Sequence, residues 1–329
     1  MGWWQVDADT LAGSRFVVSP LTEAVASLRA LEEGRAAHPG ERAWLDAHLP
    51  AYRARQADDP VTAQLVRAAF GRTWNADFIT PTPTGLPLTG QTFEAELTRI
   101  RDTPPATVRA DLLVSLNGPL PALLAGRDDL PERAAAVVEW VWARTVLPYW
   151  PRRRRLIEAD IVARTAQLSR GGWASALGDM RPGMRWLGGS RLQINTRGGP
   201  SQVIPGVRLM FVPVTPHTGW VSWDADRYAV VYPCAGALAH EGGRPPVPEP
   251  LRNLLGPGRA TVLTLLGAPK STTQLVALTG QGLGSVGRHL RVLHDAGLIA
   301  RRRAGRSVLY FRTEAGEALM GAAEAGGRG

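Results

Sequence analysis

Residues 280–312 read GQGLGSVGRHLRVLHDAGLIARRRAGRSVLYFR. Leu283, Val286, Leu290 and Leu293 recur there at three- and four-residue steps, a spacing that predicts a helix with one apolar, inward-packing face. Ser285, Arg288, His289 and Arg291 fall off that stripe and face solvent or a groove. Gly297 ends the helix, as a residue that tolerates positive φ can. Two strand-like runs follow, Leu298 to Arg303 and Ser307 to Arg312, joined by Ala304-Gly305-Arg306. They predict a hairpin with Arg301, Arg302, Arg303 and Arg306 around its tip. A polar, basic helix followed by a basic hairpin is suited to the grooves and backbone of duplex DNA.

The charge distribution points the same way. Residues 1–250 hold 27 basic against 25 acidic side chains, whereas residues 251–329 hold 11 against 4. Between Leu251 and Thr313 the only acid is Asp295. A small domain so unbalanced attracts a polyanion, and phosphate contacts supply most non-specific DNA affinity. Any one of these arginines could still belong to a solvated face, but that does not explain why the excess sits beside the helix and hairpin.

The segment SVGRHLRVLHDAGLIARRRAGRSVLYFR resembles the recognition helix and wing of ArsR-type bacterial repressors, through Arg288-His289-Leu290 and Ala296-Gly297-Leu298-Ile299 above all. The resemblance covers about residues 251–320. It implies a winged helix-turn-helix whose first two helices are Pro248 to Leu255 and Arg259 to Leu266, with Ala260, Leu263 and Leu266 facing in. Lys270, Ser271, Thr272 and Thr273 then open the third helix, where hydroxyls and free N–H groups are expected to bind phosphate. Arg288 is expected to read a guanine through its bidentate fork, and Ser285 and His289 to contact bases or phosphates. The wing arginines are expected on the backbone or in the minor groove. Gly282, Gly284 and Gly287 depart from the family, whose members carry polar or β-branched residues there. Each glycine within a helix costs roughly 0.5–1 kcal/mol relative to Ala, so the helix start is expected to be loose and its base contacts fewer.

The whole chain reads as α+β. A regulatory or dimerisation domain over 1–240 is helical over 1–180 and β-rich over 184–238; a linker follows over 241–250 and the DNA-binding domain over 251–329. Ser19-Pro20 before LTEAVASLRAL marks a capped helix start, and amphipathic stretches recur over 41–56, 60–71, 92–101, 105–116, 131–146 and 152–170. RLQINT, GVRLMFVPV, GWVSW and YAVVYPC are short β-rich runs. SPLTEAVASL and FVPV…VVYPCAGAL resemble the uncharacterised front domain of some actinobacterial ArsR-like regulators, which brings no ligand with it.

Other signals bound the function. No apolar run approaches the ~18 residues of a membrane span, the start MGWWQVDADTLAG lacks a secretion signal, and Cys234 is the sole cysteine, so a reducing cytoplasm is expected. Lys270 is the sole lysine, which reads as the codon bias of a GC-rich genome. Metal sensing, the best-known activity of the ArsR type, needs paired thiolates or His and carboxylates at helical spacing. The third helix STTQLVAL has no cysteine, the last helix carries Glu314, Glu317 and Glu324 without a histidine, and the six histidines are scattered, so no metal or cofactor is expected. Trp140, Trp142, Trp150, Trp173, Trp186, Trp220 and Trp223 fit either core and dimer packing or a pocket for an apolar effector. Arg152 to Arg155 fits a solvated or ion-paired face, or an auxiliary DNA contact. Cys234 fits a buried small residue, or a redox sensor. The expected partners are therefore double-stranded DNA, a second copy of the chain and a small-molecule effector, with no membrane. The competing reading is an enzyme in the front domain tethered to DNA by its tail, although no nucleophile elbow or phosphate-cradling glycine loop is present.

Overall fold

The computed structural model describes residues 2–37, 39–85, 92–178, 180–195, 202–204, 206–234, 247–267, 270–304 and 307–326. The chain divides into two compact units, Met1–Cys234 and Ala235–Gly329.

In the front unit, β1 (Trp3–Gln5), α1 (Ala8–Ala12) and β2 (Arg15–Phe16) precede α2 (Pro20–Glu33), α3 (Pro39–Asp58), α4 (Pro60–Ala69), α5 (Phe93–Arg101), α6 (Pro105–Leu116) and α7 (Leu130–Val141). A π-helical turn (Trp142–Val146) and a 3-10 turn (Leu147–Tyr149) lead into α8 (Trp150–Leu177), which kinks at Gly172. The strands β3 (Arg185–Gly188), β4 (Arg191–Gln193), β5 (Gln202–Val203), β6 (Arg208–Val214), β7 (Val221–Trp223) and β8 (Arg227–Pro233) complete the unit. At the start of α2 the Ser19 hydroxyl accepts from Thr22 N–H, and Glu96 of α5 accepts from Leu21 N–H and from Ser19 itself. Both ends of that cap are buried, so α2 is anchored to α5 by hydrogen bonds as well as by packing.

Two sheets cross this unit, in the orders β3-β4-β1-β5 and β2-β6-β8-β7. In the second, β2, β6 and β8 run parallel and β7 is antiparallel to β8. The strand period of two sorts β6 and β8 between two cores. Met210, Val212, Val214, Ala229 and Val231 join the core of α2 to α7, whereas Leu209, Phe211, Val230 and Tyr232 join a second core with Trp4, Val6 and Leu177. Parallel strands covered on both faces need an unbroken apolar run, which RLMFVPV and YAVVYP supply.

Two expectations are corrected here. Residues 1–180 are not helical throughout, because β1 pairs with β4 and β5, and β2 with β6. Strands of two or three residues carry no periodicity and form only because a distant partner accepts them. Ion pairing, one of the readings of Arg152 to Arg155, is present, but the run is not one solvated face: Arg153 lies 1% exposed in the core, bound to Glu23, while Arg154 pairs outside with Glu158. The helix expected over 152–170 is present, and a further helical stretch continues to Leu177 beyond the break at Gly172.

The second unit contains α9 (Glu249–Leu255), α10 (Pro257–Leu265), β9 (Lys270–Ser271), α11 (Thr272–Thr279), α12 (Leu283–Asp295), β10 (Ile299–Ala304), β11 (Ser307–Arg312) and α13 (Glu314–Gly326). Its strands form one sheet in the order β10-β11-β9. The core gathers Leu251, Ala260, Leu263, Leu266, Leu275, Val286, Leu290, Leu293, Ile299 and Met320, so α9 to α13 and the wing strand β10 all contribute to one apolar centre. Of the linker expected over 241–250, residues 241–246 lie outside the described residues, and Glu249 already begins α9.

Candidate nucleic-acid interface

The second unit is assembled so that α12 and the β10–β11 hairpin present basic groups from one rigid body. Val286, Leu290 and Leu293 of α12 are buried, which turns Gly284, Arg288 and Arg291 outward. Leu283 is a correction to the expected stripe: it is in line with Leu290 but is the first residue of the helix, and it stands 58% exposed. At the other end Gly297 adopts φ +70°, letting Leu298 N–H reach back to Leu293 O, and Thr313 N–H then donates to Leu298 O. This closure sets the angle at which the hairpin leaves the helix.

The hairpin pairs from Ile299↔Arg312 to Ala304↔Ser307. Arg301 and Arg302 are exposed on it, and the Arg302 guanidinium stacks over Phe311 at 5.9 Å. Arg306 lies outside the described residues, and Arg303 is placed by its backbone in β10. The root of the hairpin is held by Arg312, whose guanidinium donates to Leu263 O (2.8 Å) and Thr264 O (2.6 Å) and pairs with Glu317 (3.0 Å). A cation there satisfies the last carbonyls of α10 and complements its negative end. The sequence reading took Arg312 only as the end of a strand.

The expected phosphate contacts at the start of α11 divide. Lys270 is buried, 3% exposed, and pairs in β9 against Tyr310 of β11, so it does not project toward a ligand as expected. Burial, with the Arg312 charge adding to it, lowers its ammonium pKa to about 8. Ser271 is engaged in a capping box, accepting from Gln274 N–H while its own N–H donates to the Gln274 side chain. Thr272 and Thr273 are half-buried in the first turn.

Ser285, Arg288 and His289 are brought together, while Arg291 lies on the outer side of α12. The three line an open groove of about 460 Å³ between α12 and the turn from α9 to α10, with Arg259 on its far wall. The Ser285 hydroxyl donates to Gln281 Oε1 at 3.0 Å and lies 3.4 Å from His289 Nε2. His289 lies against Gly258, where a Cβ would stand 2.5 Å from Nε2, so only glycine admits the ring. Burial and then the Arg259 and Arg288 charges lower the His289 pKa below its ordinary value, leaving the ring neutral at neutral pH. His289 therefore lines the groove as a packed ring.

Arg259 is a groove residue that the sequence analysis did not single out. It sits at the third position of α10, where a cation opposes the positive end of the helix dipole, and that misplacement was the available signal. Among the described residues no three His, Cys, Asp or Glu side chains lie together as a metal site, and no helix is long and apolar enough to cross a membrane. No curated protein and no solved structure matches the chain. Residues 257–301, which span α10, β9, α11, α12 and the start of β10, match the family model described as bacterial regulatory protein, arsR family; over that span the second unit is similar to the helix-turn-helix of ArsR-type regulators.

Proposed function

We propose that the chain is a sequence-specific DNA-binding transcriptional regulator of the ArsR type, a repressor that acts as a cytoplasmic homodimer. The observation that carries this reading is the exposure of Arg288 and Arg291 on α12 and of Arg301 and Arg302 on the hairpin that follows it, within the unit part of which matches the family model. Arg288 reads a base edge and Arg291, Arg301 and Arg302 lie along the backbone. Thr272 and Thr273 remain as phosphate contacts at the start of α11. The front unit governs this activity, by dimerising or by sensing a small apolar effector, and the regulator does not respond to metal because its third and last helices lack the ligand sets such sensing needs.

The test is recovery of genomic fragments with the full chain, followed by titration of a recovered site across a salt series. Selective binding that weakens steeply with salt supports the reading, and binding indifferent to sequence and salt overturns it. The enzyme alternative rests on the charged groups near the carboxyl ends of β6 and β8, where α/β proteins commonly place sites. Glu23 and Arg153 there are sealed in the core and bound to each other, an arrangement that favours a structural role.

A further inference from the structure

We propose that the groove between the α9–α10 turn and α12 is a sugar–phosphate site in which Arg259 holds the phosphate. Arg259 Nε donates to Leu255 O at 2.6 Å, which fixes the plane of the guanidinium. Among the described residues its two terminal amino groups have no hydrogen-bond acceptor, and they border an open groove of about 460 Å³. A guanidinium held in plane with both outer donors unspent is arranged for a bidentate oxyanion.

The rest of the lining fits one class of ligand. Arg288 adds a second cation, His289 stays neutral, and the lining contains no carboxylate. Leu255, Pro257 and Val292 contribute apolar wall. Two cations over an apolar wall suit a phosphate that carries an organic substituent, as a phosphodiester or a sugar phosphate does, better than a bare anion. The position of Arg259 is otherwise unfavourable, since a cation in the first turn of a helix is repelled by its dipole. A bound phosphate reverses that balance.

The occupant's chemistry is available from two sources, a strand of duplex DNA or a free sugar phosphate. With DNA, the inference rests on the function proposed above and adds a backbone contact from the α9–α10 turn. Arg259 then clamps the strand while Arg288 is left to the bases.

The experiment compares the full chain with Arg259→Gln and Arg259→Lys. A short duplex is titrated across a salt series, and the His289 ring resonances are followed while ribose 5-phosphate is added. With DNA as the occupant, Arg259→Gln weakens binding about tenfold and lowers the slope of log K against log salt by about one. Arg259→Lys keeps the slope and loses part of the affinity, because charge remains and the fork does not. If the parent chain binds duplex and Arg259→Gln changes neither affinity nor slope, the proposal is overturned while the regulatory reading stands. If the parent does not bind duplex, the regulatory reading fails and the phosphate titration decides. Shifts of the His289 resonances that Arg259→Gln abolishes then support a site for a free sugar phosphate, and their absence overturns it.

Discussion

Glu23 on α2 and Arg153 on α8 stand 130 residues apart in the chain and 2.8 Å apart in the fold, with side chains 0% and 2% exposed. Each is also bound beyond the pair. Ser27 accepts from Arg153 at 2.9 Å, Trp44 lies beneath the guanidinium at 5.1 Å, and the Thr215 N–H and hydroxyl both donate to Glu23. Removing one partner leaves the other charge buried without compensation. Glu23→Gln or Arg153→Met should each cost the front unit about 3–5 kcal/mol, whereas the double replacement should cost less than the two summed. Urea unfolding of the three variants checks this, and strict additivity would contradict it.

That pair marks where sequence ceases to be legible. Ser19-Pro20 announces α2 because capping is local, and RLMFVPV and YAVVYP announce buried strands because their period and apolarity are local. Nothing local separates Arg153 from Arg152, Arg154 and Arg155. Only the opposing Glu23 draws it inside, and that partner is chosen by topology. The same limit hid β1 and β2, which are defined by the strands they meet. In the DNA-facing unit the helix stripe, its glycine stop and the paired hairpin could be read ahead, since each is a property of neighbours in sequence. The burial of Lys270 and the groove at Arg259 could not, because both depend on β11 and α12 folding back over them.

Lys270 makes the stability of the chain depend on alkaline pH. Its ammonium titrates at about 8 in the fold, against about 10.4 in an unfolded chain. Between those values the unfolded state holds the extra proton, so stability rises with pH across the window, and the full cost of the buried charge is present below it. Relative to Lys270→Met, the parent should gain about 2–4 kcal/mol on going from about pH 7.5 to about pH 10.5. Urea midpoints at the two pH values measure the gain. Duplex affinity of Lys270→Met should stay within a factor of about two, since the buried ammonium makes no phosphate contact.

Cys234 should be inert in the folded chain. Its thiol is buried, donates to Val214 O at 3.0 Å, and burial followed by the Asp160 and Glu23 charges pushes its pKa well up. The thiolate is the reactive form, so alkylation at neutral pH should proceed only at the rate of unfolding. Labelling that is complete within seconds in native buffer would restore the redox reading.

Arg288 and Arg301 separate reading from holding. Arg288 is exposed on α12 near two positions, Gly284 and Gly287, that offer no side chain, so the proposed base contacts of this helix fall to few residues. Arg288→Ala should cost about 1–3 kcal/mol on a recovered site and relax the sequence preference, leaving random duplex nearly unaffected. Arg301 is exposed on β10, and the proposed function gives it a backbone contact. Arg301→Ala should weaken recovered and random sites alike and lower the salt slope by about one. Because α12 can be loosened by its glycines, Gly287→Ala gives a third reading: it meets no atom within 4 Å, so it should stabilise the helix by roughly 0.5–1 kcal/mol and tighten site binding without changing the salt slope. If Arg288→Ala and Arg301→Ala lost affinity in the same proportion on both kinds of duplex, α12 would not be the reading element, and the basic hairpin would account for binding by charge.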